Sequence, residues 1–334
     1  MRQLPASNPQ TGTQLLDELY SELQSTVVHF PLFVGFSGGM DSTVLATAAS
    51  GLFGPANVRL VHLTYGPYTY FQTLQNVLRI AKQLGSPLEL VDHQEEMEGV
   101  LRHGPACNLC TRKVKLGGIR ALLPGKEHLV ATGSNQSDSW GHYGMKILNG
   151  TYSPLLPFDK HQIEKMLFTL GWSMQDVRAG ESERREGCKA KHLLKMLTVP
   201  PFHGHAVSLA NEVLLDVLRQ AGFHASLANV KIIGPLRENI ALVNVFPHVP
   251  RWLASEIGER IATIESIERV FWVDRPAKLV VKANPSLFRV PRSRNWILQG
   301  KLLPEFAAPL EIEWQESNNN RLHTFQAVDC ILET

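Results

Sequence analysis

The chain has few cysteines and no long apolar run, and these two shortages exclude several classes of protein. Four cysteines among 334 residues are too few for a disulfide-stabilised secreted scaffold. No apolar stretch approaches the ~20 residues that span a bilayer. The first residues, Met1-Arg2-Gln3-Leu4-Pro5, lack the apolar core of a signal peptide. The sequence therefore predicts a cytoplasmic protein with no membrane partner.

An excess of charge of one sign is also missing. The 33 Lys and Arg residues nearly balance the 31 Asp and Glu residues, which gives a net charge of +2. Whole-chain charge therefore does not indicate a nucleic-acid-binding protein. The apolar fraction of 44% and the charged fraction of 19% are typical of globular proteins, and the length predicts two domains.

Two common nucleotide-binding motifs are absent, namely Gly-x-x-x-x-Gly-Lys-Ser/Thr and Gly-x-Gly-x-x-Gly. The chain instead has an apolar strand, a glycine turn and the start of a helix, Phe33-Val34-Gly35-Phe36-Ser37-Gly38-Gly39-Met40-Asp41-Ser42. Glycines let the backbone approach a ligand closely, and the positive end of a helix dipole attracts anions. Ser37 and Ser42 add hydroxyl donors, while the Asp41 carboxylate suits Mg²⁺ held between phosphates. This stretch predicts a phosphate site.

Strand and helix patterns alternate around this turn. We predict helices over residues 13–28 and 69–84 and strands over residues 57–64, 87–91 and 127–132. This alternation predicts a parallel sheet with helices on both faces. Ligands bind beyond the carboxyl ends of such strands. We therefore expect the glycine turn, Thr64 with Tyr65-Gly66-Pro67, and Gly133-Ser134-Asn135 to line one crevice. Asp138 is a candidate Mg²⁺ or substrate ligand, and an Asx-type turn without chemistry explains that segment equally well.

The cysteines form the second candidate site. Cys107 and Cys110 are three residues apart and are followed by Thr111-Arg112-Lys113. This spacing suits zinc, an iron–sulfur cluster or a redox pair. Cys188 lies in a charged run (residues 175–192) that is typical of a solvated loop, and basic neighbours favour a thiolate. With His192, the three cysteines also make a plausible zinc set. Cys330 has no partner at ligand spacing, and we interpret it as structural.

The pattern changes near Thr198-Val199-Pro200-Pro201. We predict a helix at the amino end of the first domain (1–30), a nucleotide-binding domain with the cysteines (31–199) and a smaller α+β domain (200–334). Two similar stretches in the last domain, starting at Ala241 and Leu279, suggest one unit used twice. Arg289, Arg292 and Arg294 are interpreted as a solvated face rather than an RNA contact.

The string Ser-Gly-Gly-x-Asp-Ser, followed by Cys-x-x-Cys and Cys188, resembles the three-cysteine sulfur-inserting branch of the PP-loop ATP pyrophosphatases. That branch includes tRNA thiolation enzymes of the two-thiocytidine and two-thiouridine type, and sulfur transferases that build a nickel-pincer cofactor. The likeness to the pincer type is closer, and it covers roughly residues 30–245. The sequence around Cys188 departs from the Ala-Cys-Leu-Ala-Ser pattern of that family.

This resemblance implies an adenine nucleotide alpha hydrolase-like fold and an ATP-dependent sulfurtransferase that releases pyrophosphate. ATP and Mg²⁺ are implied at Ser37, Gly38, Gly39, Asp41, Ser42, Thr64, Gly133 and Asp138. A [4Fe–4S] cluster is implied on Cys107, Cys110 and Cys188, with zinc as the alternative metal. Asp41 and Cys188 are implied to be catalytic, and Cys188 is the sulfur donor if the enzyme gives up its own sulfur.

Several alternatives stay open at this point. The sulfur acceptor is a small molecule or a tRNA, the sulfur donor is unknown, and a homo-oligomer is possible. One rival function is an amide-forming PP-loop ligase that uses ammonia. Another is a nucleotide-binding protein with a structural zinc.

Overall fold

A computed structural model of the chain describes residues 10–125, 127–137, 145–184, 186–196 and 198–333. The chain divides into two compact units that are both discontinuous in sequence. The first unit comprises Met1–Thr64, Gln72–Asp92 and Lys115–Ala179, and the second comprises Tyr65–Phe71, His93–Val114 and Gly180–Thr334. No helix among the described residues is long and apolar enough to cross a membrane. The predicted division at residues 30 and 199 stays a prediction.

The first unit is built on a six-stranded sheet in the order β3-β2-β1-β4-β6-β5. Its strands are β1 (Leu32–Gly35), β2 (Val58–Thr64), β3 (Leu88–Asp92), β4 (Val130–Ala131), β5 (Ile147–Leu148) and β6 (Thr151–Tyr152). All neighbouring pairs are parallel except β5 and β6. That hairpin turns at Asn149 and Gly150, whose φ angles of 50° and 78° are those of a two-residue Asn-Gly turn.

Helices flank this sheet, so the predicted α/β fold is confirmed. They are α1 (Gly12–Thr26), α2 (Met40–Phe53), α3 (Phe71–Leu84), α6 (Gly117–Ala121), α7 (Lys160–Thr169) and α8 (Met174–Val177). The apolar faces of these helices and the central strands form one core, to which Leu19, Val34, Leu45, Leu60 and Ile163 contribute fully buried side chains. Strands that bury both faces contain nearly continuous apolar runs, which is why the pattern was readable in the sequence.

One strand is much shorter than predicted. We predicted residues 127–132, but only Val130 and Ala131 pair with neighbouring strands. The polar residues Glu127 and His128 precede this pair, and the His128 Nδ1 atom lies 3.4 Å from the Glu127 carboxylate. Both polar residues lie outside the ladder, in agreement with the small gain that polar groups obtain from burial in a central strand.

The second unit contains two three-stranded sheets, in the orders β7-β8-β9 and β11-β10-β12. Their strands are β7 (Leu227–Ile233), β8 (Ile240–Phe246), β9 (Arg269–Trp272), β10 (Ala277–Ala283), β11 (Leu310–Glu316) and β12 (Phe325–Leu332). The helices of this unit are α4 (Gln94–Leu101), α5 (Cys107–Cys110), α9 (His205–Gln220), α10 (Arg251–Ala262), α11 (Pro285–Phe288) and α12 (Pro291–Ile297). π-helical turns cover Thr111–Leu116, Pro200–Gly204 and Leu298–Leu302.

The two sheets share one pairing pattern. Each has a middle strand, β8 or β10, with one parallel and one antiparallel neighbour. Helical structure follows each middle strand and leads to the parallel strand, with Pro247 before α10 and Pro285 as the first residue of α11. The two similar stretches noted in the sequence are these two middle strands. They share a local topology, although the antiparallel partner precedes β8 and follows β10.

Candidate functional site

The glycine turn of the first unit is held open by its own serines. The Ser37 backbone N–H donates to Ser42 Oγ at 3.2 Å, and the two hydroxyl oxygens lie 3.1 Å apart. The Gly39 N–H faces Ser37 Oγ at 3.4 Å, while Ser42 Oγ donates to the Gly39 carbonyl at 3.1 Å. Gly39 is the N-cap of α2 and has no side-chain cap. The first N–H groups of that helix are therefore presented at the turn, as a phosphate site requires.

Two glycines are required here by geometry. Gly38 has a φ of 72°, and a Cβ atom at this position would lie 2.8 Å from Val77 Cγ2. A Cβ atom at Gly133 would lie 2.9 Å from Asp41 Cβ and 3.1 Å from the Ser42 nitrogen. The loop after β4 thus packs directly on the start of α2, and a side chain at either position would push the turn apart.

Asp41 has a basic partner that the sequence interpretation missed. Lys160 Nζ lies 2.5 Å from Asp41 Oδ2. Lys160 is the first residue of α7, whose capping box is complete: Asp159 Oδ1 accepts from the Gln162 N–H at 2.8 Å, and Gln162 Oε1 accepts from the Asp159 N–H at 3.0 Å. This cap closes the first turn of the helix. It also fixes the residue that brings an ammonium group to the turn.

The other residues predicted to bind the nucleotide differ from one another in their surroundings. Thr64 ends β2, and its hydroxyl donates to Asp92 Oδ1 at 3.1 Å. Asn135 is buried and accepts the Ser137 N–H at 3.0 Å, which is an Asx turn. Asp138 lies outside the described residues. Tyr65-Gly66-Pro67 belongs to the second unit, so its predicted place in the crevice stays a prediction.

Residues 13–120 match the family model described as NAD synthase. The match supports the PP-loop ATP pyrophosphatase superfamily. It covers about a third of the chain, from α1 through the glycine turn to the helix that follows Cys110, and it stops before Gly133 and Cys188. A comparison with curated proteins found no match. The superfamily suggests an enzyme that uses ATP with Mg²⁺.

Mg²⁺ fits the residues of the turn. This ion usually binds through one or two carboxylates together with substrate phosphates and waters, rather than in an all-protein cage. The Asp41 carboxylate lies in the first turn of α2, beside the N–H groups that suit phosphate. Asp41 would hold Mg²⁺, and the ion would neutralise charge on the phosphates of ATP.

The three cysteines with predicted functional roles all fall in the second unit. Cys107 is exposed, Cys110 is buried and Cys188 is half-buried; no disulfide joins the cysteines that the structure describes. Cys107 and Cys110 form the single turn of α5, and Cys188 precedes a 3₁₀ turn at Lys189–His192. Cys330 is buried in β12, and burial raises its pKa to about 11, in agreement with a structural role.

Two of the thiols, those of Cys110 and Cys188, lie close enough to Tyr65 to affect its hydroxyl. Burial raises the pKa of the Tyr65 hydroxyl, with smaller contributions from Cys110 and Cys188. Within the described parts of the chain, however, no three His, Cys, Asp or Glu side chains are arranged to hold a metal ion. The [4Fe–4S] cluster and the alternative zinc implied by the resemblance are therefore not confirmed, and no chemical step below passes through a metal at the cysteines.

The charged run around Cys188 is less exposed than predicted. Lys189 and His192 are 2% and 1% exposed. Lys189 Nζ contacts Glu212 Oε1 at 2.6 Å and donates to the Pro67 carbonyl at 2.7 Å. His192 Nε2 lies 2.7 Å from the Tyr70 hydroxyl, and burial holds its pKa well below the usual range. Arg178, Glu183 and Arg184 are exposed, as predicted for a solvated run, whereas partners from distant parts of the sequence bury Lys189 and His192.

Two carboxylates and two lysines surround this segment. Lys191 forms an ion pair with Glu186, and Lys231 Nζ, which is almost fully buried, lies 4.0 Å from Glu305 Oε2. Burial, and next the neighbouring Glu186, raises the pKa of Glu305 to about 7. Burial lowers the pKa of Lys231 to about 8. The sequence interpretation missed Lys231 and Glu305, because neither lies near a motif.

Proposed function

We propose that the protein is an ATP-dependent sulfurtransferase that adenylates its acceptor, releases pyrophosphate and inserts sulfur. The observation that carries this proposal is the grouping of Cys107, Cys110 and Cys188 in one compact unit. The same chain contains a PP-loop turn, which supplies the activating chemistry. The family match supports ATP use, and sulfur transfer is the proposed addition.

The glycine turn serves the activation step. An oxygen atom of the acceptor attacks the α-phosphorus of ATP, and the bond from that phosphorus to the bridging oxygen breaks. Pyrophosphate leaves with negative charge that the α2 N–H groups, Ser37 and Ser42 stabilise. Lys160 holds the Asp41 carboxylate in place when no ion is bound. AMP is then a far better leaving group than the original oxygen.

The cysteines serve the sulfur step. A thiolate attacks the activated carbon, forms a carbon–sulfur bond and displaces AMP. We assign this role to Cys188, because the Lys189 ammonium is close enough to it for their charges to interact. If Cys188 gives up its sulfur, a base removes its Cα proton, the Cβ–Sγ bond breaks and dehydroalanine remains, so that the chain mass falls by one hydrogen sulfide. If added sulfide is the donor, it attacks the same carbon and displaces the Cys188 thiolate. Iron and zinc analysis of protein purified without oxygen tests the metal implied by the resemblance.

The proposal is tested with ATP, sulfide and a carboxylated pyridinium dinucleotide as the acceptor, with bulk tRNA as a second acceptor. We expect pyrophosphate release and a sulfur-containing product identified by mass spectrometry. Cys188→Ser should abolish the sulfur product, and Asp41→Asn should lower pyrophosphate release by roughly a hundredfold or more. Cys330→Ala is the matched control and should keep activity. Full activity of Cys188→Ser contradicts the assignment of this residue.

An amide-forming ligase is the second candidate function. The matched family model is described as NAD synthase, which favours ammonia as the nucleophile instead of sulfur. Replacing sulfide with ammonium in the same assay separates the two functions. If an amide product forms equally well in the Cys188→Ser variant, the result supports the ligase and contradicts the proposed sulfur transfer.

A further inference from the structure

A segment near the end of the chain reaches the first cysteine. Lys301 Nζ lies 3.3 Å from Cys107 Sγ and donates to the Pro105 carbonyl at 3.1 Å. These groups are separated by 194 and 196 residues in sequence, and all belong to the second unit. The ammonium group therefore contacts both the sulfur atom and the backbone that precedes α5.

The segment around Lys301 (residues 301–307) is fixed at several points. The Glu305 carbonyl accepts from Asn229 Nδ2 at 3.2 Å, and the Ala307 N–H donates to Asn244 Oδ1 at 3.4 Å. The Lys231 ammonium lies 5.0 Å from the centroid of the Phe306 ring. Contacts from both strands of the β7–β8 hairpin thus hold residues 305–307 in place.

The backbone of this segment is also strained. Glu305 has a φ of 65°, in the left-handed region that non-glycine residues rarely occupy. The other such residue among those described, Asn149, is of a type that tolerates this region in turns. This conformation is unfavourable for a glutamate, and such strain persists where the surroundings over-determine the conformation. Residues 301–307 are therefore fixed in this shape rather than loosely attached.

The surroundings of Cys107 carry more positive than negative charge. The ammonium groups of Lys191 and Lys301 lie near Cys107. The ammonium group of Lys231 lies near both of these lysines. They are opposed by the carboxyl groups of Glu186 and Glu305, which lie beside Lys191 and Lys231 respectively. Of the three, only Lys301 contacts the Cys107 sulfur directly among the contacts described. An anion that approaches this exposed sulfur is therefore attracted chiefly by Lys301.

We propose that residues 301–307 complete the cysteine site, with Lys301 as a positioning residue that orients the Cys107 sulfur and draws an anionic reactant to it. This inference rests on the proposed function, in which the adenylated acceptor carries a negatively charged phosphate. It gives a role to a part of the chain that lies beyond the resemblance to sulfur-inserting enzymes.

The test compares two alkylating reagents of similar size, anionic iodoacetate and neutral iodoacetamide, on the whole protein. Peptide mass spectrometry gives the rate at Cys107 for each reagent. Both react with the thiolate, so the ratio of the two rates cancels the thiolate fraction and reports the local charge. We expect Lys301→Met to lower the iodoacetate-to-iodoacetamide ratio about threefold to tenfold, the range expected for one nearby charge at a partly exposed site.

Two further variants make the result decisive. Lys301→Arg keeps the charge and should restore the ratio to within about twofold of the natural chain. Lys278→Met removes a half-buried lysine that pairs with Glu311 on β11, and it should leave the ratio unchanged. Circular dichroism checks that each variant is folded. An unchanged ratio in folded Lys301→Met overturns the inference, as does an equal fall in Lys278→Met.

The result of the alkylation test can be distinguished from the result of the test of the proposed function, because alkylation requires neither ATP nor acceptor. With an active enzyme, Lys301→Met should raise the KM for an anionic acceptor more than it lowers kcat, and Lys301→Arg should rescue KM. Absence of ATP-dependent sulfur transfer in the natural chain overturns the proposed function, whereas the charge at Cys107 is decided by the ratio alone.

Discussion

Gly38 shows how single positions shape the phosphate turn. Its positive φ is accessible to glycine at little cost, and the Val77 side chain occupies the space where a Cβ atom would lie. The contact with Val77 depends on the packing of α3, which the local sequence does not reveal. Asp41 is similar, because its partner Lys160 lies 119 residues further along the chain.

The residue-scale prediction uses two glycines of the same region. Gly38→Ala should lower the free energy of unfolding by about 1–3 kcal/mol and weaken ATP binding, because the turn must open around the added methyl group. Gly51→Ala, an exposed site in α2 with no atom within 4 Å of the added Cβ, should instead stabilise by about 0.5–1 kcal/mol. Urea denaturation and calorimetric titration with Mg-ATP measure both effects. Equal stability of the two variants contradicts this account.

At the scale of elements, the start of α9 depends on one buried histidine. His203 lies in the π-helical turn Pro200–Gly204. Its Nδ1 atom accepts from the Val199 N–H at 2.8 Å, and its Nε2 atom donates to the Leu236 carbonyl at 2.8 Å. The neutral ring thus joins this turn to the chain between β7 and β8. Burial, and next the nearby Lys195 charge, lowers its pKa to about 4.

This shift predicts a dependence of stability on pH. The unfolded histidine binds a proton near pH 6.5 and the folded one only near pH 4, so the folded state loses stability as pH falls through that window. The loss should approach about 3 kcal/mol. His203→Gln should be less stable at pH 7 but lose less stability between pH 7 and pH 4. His248→Gln, at an exposed position, should keep the natural pH profile. Urea denaturation at several pH values measures these slopes, and parallel profiles for all three proteins contradict the assignment.

At the scale of the whole molecule, the net charge bears on whether the acceptor of the proposed sulfur transfer is a tRNA or a small molecule. A net charge of +2 provides little general attraction for a polyanion. We therefore expect filter binding of bulk tRNA to be weak at ~50 mM salt and absent at ~200 mM, because few phosphate contacts produce low affinity that salt readily removes. The acceptor would then be a small molecule. Firm retention of tRNA at the higher salt concentration contradicts this expectation.

The sequence by itself determined the α/β class and the phosphate turn. Both follow from local rules: buried parallel strands require apolar runs, and a tight strand-to-helix turn at an anion requires glycines. It also predicts functional roles for three cysteines, because thiols beside basic residues at ligand spacing are unusual in a core, and those roles stay predictions. Each of these patterns involves residues that are close together in the sequence, so it can be recognised without knowledge of the fold.

Only the tertiary structure decided which distant residues meet. Lys160 reaches Asp41, Gly133 packs against α2, and Lys301 contacts Cys107. It also decided that the run around Cys188 is partly buried, and that the three thiols form no ready metal site. Contacts between residues more than a hundred positions apart depend on how sheets and helices pack, and a single sequence carries no local signal for them.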